Sequence, residues 1–129
     1  MSALTLRVVP GAYAVCRLAP DAALPAWAAG ATGFSSITRT ADELSVICAE
    51  SAVPADVKSE RGWALLQFVG PFDFGAVGVL ASVAQPLAAA QISLLALGTF
   101  DTDYVLVKHT SLPAARDVLL AAGHRVVSA

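Results

Sequence analysis

The sequence ISLLALGTFDTDYVLVK at residues 92–108 decides the fold class of this chain. Two short apolar runs, at 92–98 and 104–108, flank the polar residues 99–103. Both runs are shorter than an ordinary helix and consist largely of residues that suit a buried strand. The link between them is short enough for a β-hairpin. We therefore predict two antiparallel strands here.

Upstream of this hairpin, a strand pattern is followed by a helix pattern. Residues 63–69 are short and apolar, which is typical of a strand. Asp73 is predicted to cap a helix that starts beside Gly75, and Pro86 should kink this helix or end its regular part. The apolar face of the helix follows from helical spacing and comprises Ala76, Val79, Leu80, Val83 and Leu87.

Downstream of the hairpin, the sequence predicts one more helix and one more strand. Ser111 is a candidate cap, Pro113 suits the first helical turn, and Gly123 suits the position just past the last turn. Residues 124–127 then form a closing strand. The second half of the chain therefore has the order β-α-β-β-α-β, which is the split βαβ arrangement.

The first half of the chain repeats this order less completely. Its predicted elements are strands at 13–18, 34–39 and 44–49, a short helix at 21–29, and a helix start at 51–54 that the polar residues 58–62 cut short. A shift of 59 residues places Thr40 on Thr99 and Pro54 on Pro113, with similar strand residues between them. A match of this kind is typical of duplicated units.

The composition restricts the class of protein. Of the 129 residues 57% are hydrophobic and only 14% are charged, so the chain has an excess of apolar surface, and a homodimer is expected. The formal net charge is −2 and the basic residues are scattered, which argues against nucleic acid as a partner. The N-terminus lacks the apolar core of a signal peptide, so a cytoplasmic protein is expected.

Residues 74–100 carry no charge and are long enough to span a bilayer. Gln85, Pro86 and Gln91 interrupt this segment, and acidic residues flank it, whereas basic residues usually anchor one side of a membrane span. The periodicity also changes along the segment from helical to strand-like. We therefore expect no membrane association.

Potentially reactive side chains do not form a catalytic or metal-binding pattern in the sequence. Cys16 and Cys48 lack the spacing of a zinc site and are expected to be buried reduced thiols. A disulfide between them is the alternative that the sequence leaves open. His109 and His124 have no Asp or Cys close in sequence that would complete a triad or a metal site. The chain is therefore not expected to be an enzyme, and no metal or cofactor is expected.

Residues 72–77, 86–90, 92–93 and 99–107 resemble a tandem ACT-domain protein of the kind found in aspartokinase regulatory pairs and in CASTOR-like amino-acid sensors. In the first half, the resemblance rests mainly on residues 36–48. It implies an α+β fold of two ferredoxin-like βαββαβ (ACT) units packed side by side, with antiparallel sheets and helices on one face. The expected units are residues 1–62, which are degenerate, and residues 63–129.

The resemblance also implies a small ligand, usually an amino acid, held at the interface between ACT units. Thr99, Phe100 and Asp103 correspond to residues that help hold the ligand in the arginine sensors. Amides at a helix start suit a carboxylate, and acidic side chains suit an ammonium or guanidinium group. The predicted ligand-binding residues are Gly70, Phe72, Asp73, Phe74, Gly75, Ala76, Val77, Thr99, Phe100, Asp101, Asp103, Ile37 and Thr38.

The sequence therefore predicts a non-catalytic regulatory or sensor protein that binds an amino acid. The alternative is a structural module for oligomerisation or partner interaction. Phe74 stands where many ACT domains have proline, and its ring could fill a vestigial pocket. Asp73 and Asp101 also have purely structural interpretations, as a helix cap and as a turn residue. The sequence names neither the ligand nor the regulated partner.

Overall fold

The computed structural model describes residues 3–30, 32–73 and 75–128. Within these ranges it has a mixed α/β fold with few helices and mainly antiparallel strand pairs. The strands are β1 (Thr5–Leu18), β2 (Ser35–Arg39), β3 (Leu44–Ala49), β4 (Ser59–Phe68), β5 (Leu95–Gly98), β6 (Asp103–Lys108) and β7 (Arg125–Ser128). The α-helices are α1 (Ala26–Ala29), α2 (Val79–Ala89) and α3 (Leu112–Ala121), and short 3-10 helices occupy Glu50–Ala52 and His109–Ser111.

The chain packs into two compact units. The split unit comprises Met1–Pro10 and Ala64–Ala129, and the inserted unit comprises Gly11–Trp63. Strands β1 and β4 each contribute residues to both units. Each strand has a glycine with positive φ near the residue where it passes from one unit to the other, Gly11 with a φ of 94° in β1 and Gly62 with a φ of 80° in β4. These compact units differ from the expected units 1–62 and 63–129 in residues 1–10 and at Trp63, and Leu4 and Leu6 belong to the core of the split unit.

In the split unit, the strand order is β7, β1, β4, β6, β5. The β5–β6 hairpin is antiparallel, with Gly98 opposite Asp103, as the sequence predicts. The β1–β7 pair is parallel, with Thr5 opposite Arg125, and so departs from the prediction of antiparallel sheets. This departure arises because the first part of β1 lies between β7 and β4 in the sheet. Its Thr5 carbonyl accepts the N–H of Val69 at 2.9 Å on the β4 side.

Helices α2 and α3 of the split unit bury one face each against the sheet. The core combines helix residues at helical spacing with strand residues at every second position, and includes Val83, Leu87, Ala115, Leu119, Leu6, Leu66, Phe68, Val105 and Val107. The predicted face of α2 is correct for Val79, Val83 and Leu87, which are buried. It is wrong for Leu80, which is 37% exposed, and for Ala76, which is exposed and precedes the helix.

Helix α2 begins later than the sequence predicts, and Asp73 does not cap it. The carboxylate of Asp73 accepts the N–H of Gly75 at 3.2 Å and closes a local turn, as Asp commonly does. The N-cap of α2 is Gly78, with φ of 79° and no side-chain capping bond. Ser111 does occupy the N-cap position of α3, but its hydroxyl makes no capping bond either.

Pro86 lies inside α2, and the helix continues past it to Ala89. Proline has no N–H, so the carbonyl of Ser82, four residues earlier, lacks its helical donor. Nε2 of His124 lies 3.0 Å from this carbonyl oxygen, and Nδ1 of His124 accepts the N–H of Leu4 at 3.0 Å. A neutral imidazole with its proton on Nε2 satisfies both contacts. His124, only 6% exposed, therefore links α2 to Leu4, the residue just before β1.

In the inserted unit, the strand order is β2, β3, β1, β4. Strand β3 has the predicted bounds, whereas β1 is much longer than the predicted residues 13–18. Helix α1 has four residues and not the predicted 21–29, because Pro25 precedes it and Gly30 ends it. The core of this unit consists of Ala14, Cys16, Ala28, Leu44, Val46, Cys48 and Val53.

The predicted shift of 59 residues reappears in the element bounds. It carries β3 onto β6, and the 3-10 helix Glu50–Ala52 onto His109–Ser111. The turns match as well, since Thr40 N–H donates to Glu43 O at 2.9 Å and Thr99 N–H donates to Thr102 O at 2.8 Å. Each threonine hydroxyl also bonds within its own turn. The two halves therefore share local structure where the sequence match is best.

Among the described residues, none of the helices has the length and apolar character needed to cross a lipid bilayer. The uncharged segment 74–100 contains α2 and β5, which are separate elements.

Cys16 and Cys48 are free thiols in the core of the inserted unit, with exposures of 1% and 0%. Burial raises the pKa of Cys16 from its ordinary value of 9.0 to about 11, nearby Cys48 adds to this rise, and Arg61 opposes it. Burial also raises the pKa of Cys48. The folded state therefore favours both thiols in their neutral form.

We expect the stability of the protein to fall as the pH rises from about 9 toward 11. The folded-state pKa of Cys16 lies above that of the unfolded thiol, so the stabilisation is complete below pH 9 and is lost as pH approaches 11. Urea unfolding midpoints at pH 8 and 10.5 measure this loss. In Cys16→Ala the drop between the two values should be smaller, and an equal drop would show that other groups cause it.

Candidate functional site

Two loops of the split unit form a pocket of about 140 Å³ that is partly open to solvent. One loop connects β4 to α2, and the other is the hairpin turn between β5 and β6. We call this cavity the acidic pocket. Its lining residues are Phe72, Asp73, Ala76, Val79, Thr99, Phe100, Asp101, Thr102 and Asp103.

Hydrogen bonds fix the hairpin turn to the neighbouring loop. The N–H of Phe72 donates to the carbonyl of Asp101 at 2.9 Å. The hydroxyl of Thr102, which is 7% exposed, donates to the carbonyl of Phe68 at 2.6 Å. The N–H of Thr99 closes the turn on Thr102. Both walls of the pocket are therefore held in place before any ligand arrives.

Gly70 is required where these two loops approach each other. A Cβ at this position would lie 3.0 Å from the backbone nitrogen of Phe72 and 3.3 Å from the carbonyl oxygen of Asp101. These are the two atoms that share the hydrogen bond between the loops. A side chain at residue 70 would therefore push apart the contact that shapes the pocket.

The acidic pocket combines carboxylate side chains with the first residue of a helix. Asp73 and Asp101 are exposed, Asp103 is half-buried, and the lining residues include no basic side chain. Val79, the first residue of α2, forms part of the wall. Amides in the first turn of a helix have no intrahelical acceptor, and α2 has no side-chain cap. Because Asp73 bonds to Gly75, it does not occupy the amides at the start of α2.

The structure brings seven of the predicted site residues together around the acidic pocket: Phe72, Asp73, Ala76, Thr99, Phe100, Asp101 and Asp103. Two further lining residues, Val79 and Thr102, were not predicted as site residues. Thr102 lies within the turn quoted for the resemblance, and Val79 was assigned only to the core. That these residues bind a ligand remains a prediction.

The other predicted site residues lie elsewhere. Gly75 and Val77 are exposed and do not line the acidic pocket, and Gly70 lines a neighbouring one. Ile37 and Thr38 are exposed on β2 of the inserted unit, and their contribution remains a prediction. Phe74 lies outside the described residues, so its position relative to the pocket remains a prediction too.

The acidic side chains of the pocket do not form a metal site. Within residues 3–30, 32–73 and 75–128, no group of three or more His, Cys, Asp or Glu side chains could hold a metal ion. The arrangement suits instead a hydrogen-bonded organic ion, because carboxylates accept strong bonds from ammonium and guanidinium groups.

Comparison with known families identifies a domain in each half of the chain. A model of the ACT domain matches residues 58–121. A second model, described as the N-terminal domain of a group of related proteins, matches residues 11–56. A search of curated proteins found no match.

Solved structures give the family relationship and the fold. A crystallised Agobacterium tumefaciens protein is 39% identical, with a TM-score of 0.94 over 100% of this chain and 96% of that one. The regulatory subunit of aspartate kinase from Thermus flavus is 12% identical, with a TM-score of 0.62 over 95% and 97% of the two chains. Aspartate kinase from Clostridium acetobutylicum is 11% identical, with a TM-score of 0.67 over 92% of this chain and 33% of that one.

The chain therefore belongs to the same family as the Agobacterium protein and contains an ACT domain. Its fold resembles that of aspartokinase regulatory domains. This result confirms an ACT domain and the likeness to aspartokinase regulatory regions, whereas the tandem pair and the likeness to CASTOR-like sensors remain predictions.

Proposed function

We propose that this protein is a non-catalytic regulatory or sensor protein that binds a free amino acid in the acidic pocket. One observation carries the proposal: the same small pocket is lined by three carboxylates and by the first residue of α2, a helix whose start has no side-chain cap. An amino acid has the complementary pair of charges. The likeness to aspartokinase regulatory domains supports a regulatory role.

In the proposed complex, the carboxylate of the ligand lies at the first turn of α2, where amide donors and the helix dipole favour an anion. Its ammonium group lies at Asp103, which is half-buried and therefore less screened by water than Asp73 or Asp101. The volume of about 140 Å³ is below the range of about 300–1,000 Å³ typical of drug-sized ligands, so a small ligand is favoured.

A structural role is the second candidate, and two exposed apolar side chains favour it. Phe100, at the wall of the pocket, is 80% exposed, and Val77, next to Ala76, is 86% exposed. Large exposed apolar side chains are typical of interaction surfaces. In this case the surface serves contact with a second copy of the chain, as a homodimer, and the pocket stays empty.

A thermal-shift screen of the twenty amino acids tests the leading proposal, because a ligand that binds the native state raises its melting temperature. For an amino acid that raises it, Asp103→Asn should weaken binding about 10- to 100-fold in calorimetry, since a charged hydrogen bond contributes about 1.5–3 kcal/mol. Asp117→Asn on α3 is the matched control, because Asp117 is exposed and does not line the pocket.

The outcomes separate the two candidate functions. If no amino acid raises the melting temperature and sedimentation shows a dimer, the structural role is supported. If an amino acid binds but Asp103→Asn binds it equally well, the ligand lies outside the acidic pocket. Equal losses in Asp103→Asn and Asp117→Asn would indicate a general effect of charge.

A further inference from the structure

A second pocket of the split unit, of about 240 Å³, has no part in the proposed function. It is lined by Arg7 of β1, Gln67 of β4, the following segment and the hairpin turn. We call it the Arg7 pocket. Its lining residues are Arg7, Gln67, Val69, Gly70, Pro71, Asp101 and Thr102.

Arg7 lies on the face of the sheet opposite the helices. Its neighbours on the strand, Leu6 and Val8, pack into the helix-covered core, and side chains alternate between the two faces of a strand. Gln67 has the same placement on β4, between the core residues Leu66 and Phe68. The Arg7 pocket and the hydrophobic core are therefore on opposite faces.

The guanidinium of Arg7 is oriented by a hydrogen bond, and the described residues provide no counter-ion for it. Its Nη1 donates to Oε1 of Gln67 at 3.1 Å in a partly buried position. Among the residues that the structure describes, no carboxylate lies within ion-pairing distance of Arg7. A partly desolvated charge without a partner is unfavourable, and a guanidinium held at one nitrogen keeps its other N–H groups for a planar anion. A carboxylate meets both requirements.

Asp101 brings the opposite charge to the same pocket. It is exposed and lines the Arg7 pocket beside Thr102, and among the described residues that line this pocket no basic side chain other than Arg7 occurs. A simple anion at Arg7 would be repelled by Asp101, whereas a ligand with a cationic group at its other end would be attracted. The pair Arg7 and Asp101 therefore selects a molecule with both charges.

We propose that the Arg7 pocket is a second binding site, for a small zwitterion whose carboxylate pairs with Arg7 and whose ammonium faces Asp101. The site is distinct from the acidic pocket, because Arg7 lines only one of the two cavities and Asp103 only the other. Asp101 and Thr102 line both cavities. The proposal does not depend on the function of the acidic pocket.

NMR titration of the arginine Nε–Hε signals tests the site directly. The probes are unbranched ω-amino acids from glycine to 6-aminohexanoate, which vary the distance between the two charges, with acetate as the probe that lacks the ammonium. The signal of Arg7 is assigned by its loss in Arg7→Gln. We expect a saturable shift with at least one ω-amino acid, at an affinity about 10- to 100-fold higher than for acetate. The signal of Arg39 serves as the exposed control.

Variants separate this site from the acidic pocket. Asp103→Asn should leave the response of Arg7 unchanged, while Asp101→Asn should reduce it. Arg7→Lys retains the charge but loses the planar fork, so its affinity, followed through backbone amide shifts of residues 67 and 69, should fall by about tenfold or more. Absence of an Arg7 shift with every ω-amino acid overturns the site. Equal affinity for acetate, or equal shifts of Arg7 and Arg39, overturns its specificity for a zwitterion.

Discussion

His124→Phe is expected to lower the free energy of unfolding by about 2–6 kcal/mol, although the phenyl ring keeps a similar volume. The imidazole satisfies the N–H of Leu4 and the carbonyl of Ser82, each at 3.0 Å. Both bonds are lost in the variant, the first in a buried and the second in a partly buried position. A buried backbone group left without a partner costs about 1–3 kcal/mol, and the partly buried carbonyl should cost toward the lower end of that range. Urea denaturation at neutral pH measures the loss.

Pro86→Ala tests the cause of this loss. The substitution supplies an N–H four residues after Ser82, and this N–H can donate to the carbonyl that His124 serves in the wild type. In a double-mutant cycle, His124→Phe should therefore cost at least about 1 kcal/mol less in the Pro86→Ala background. His109→Phe, on the exposed 3-10 helix, is the matched control and should change stability by less than about 1 kcal/mol. Identical costs in the two backgrounds would contradict the role of Ser82.

Arg61→Ala should destabilise the inserted unit by about 2–3 kcal/mol, as expected for the loss of hydrogen bonds from a charged group. The guanidinium donates to the carbonyls of Glu50 and Val53, each at 3.3 Å, and of Pro54 at 3.0 Å. The neighbouring N–H of Gly62 donates to Oε1 of Glu50 at 2.8 Å. Together these bonds hold the segment between β3 and β4, where the split unit has a full helix.

Thiol labelling measures this effect in the inserted unit alone, because both cysteines of the chain lie in its core. We expect Arg61→Ala to increase the labelling rate of Cys16 and Cys48 in native buffer, with an intermediate rate for Arg61→Lys. Arg39→Ala is the control, since Arg39 is exposed and bonds to the single carbonyl of Pro20. Labelling as slow as in the wild type would show that Arg61 does not hold the segment.

The elements that the sequence predicts well are those whose periodicity is uninterrupted. Strand β3 and the β5–β6 hairpin have a clear apolar pattern, and the structure confirms them. The first part of β1 was missed because Pro10 and Gly11 interrupt the strand pattern, although Leu4, Leu6 and Val8 alternate as a strand requires. Their burial depends on β4 and β7, which are far away in sequence, so local patterns carry little information about it.

The part of the candidate site that consists of residues close together in sequence was predictable. The hairpin turn at residues 99–103 has a characteristic sequence, and its residues line the acidic pocket. The role of Asp73 was not predictable, because a short turn to Gly75 and a helix cap use the same side-chain chemistry. The sequence did not indicate a binding role for Arg7, because its hydrogen-bond partner Gln67 is 60 positions away along the chain.

The position of β1 in the split unit has a consequence for synthesis of the chain. Thr5 pairs with Arg125 on one side, and its carbonyl accepts the N–H of Val69 on the other. The ribosome therefore synthesises β1 before β2 to β6, and its parallel neighbour β7 only after them. The residues of the inserted unit, 11–63, emerge in a single run and can fold while the ribosome is still elongating. The split unit must instead wait for β7, and pairings so distant in sequence close slowly. Until then, residues 5–8 lack this partner strand.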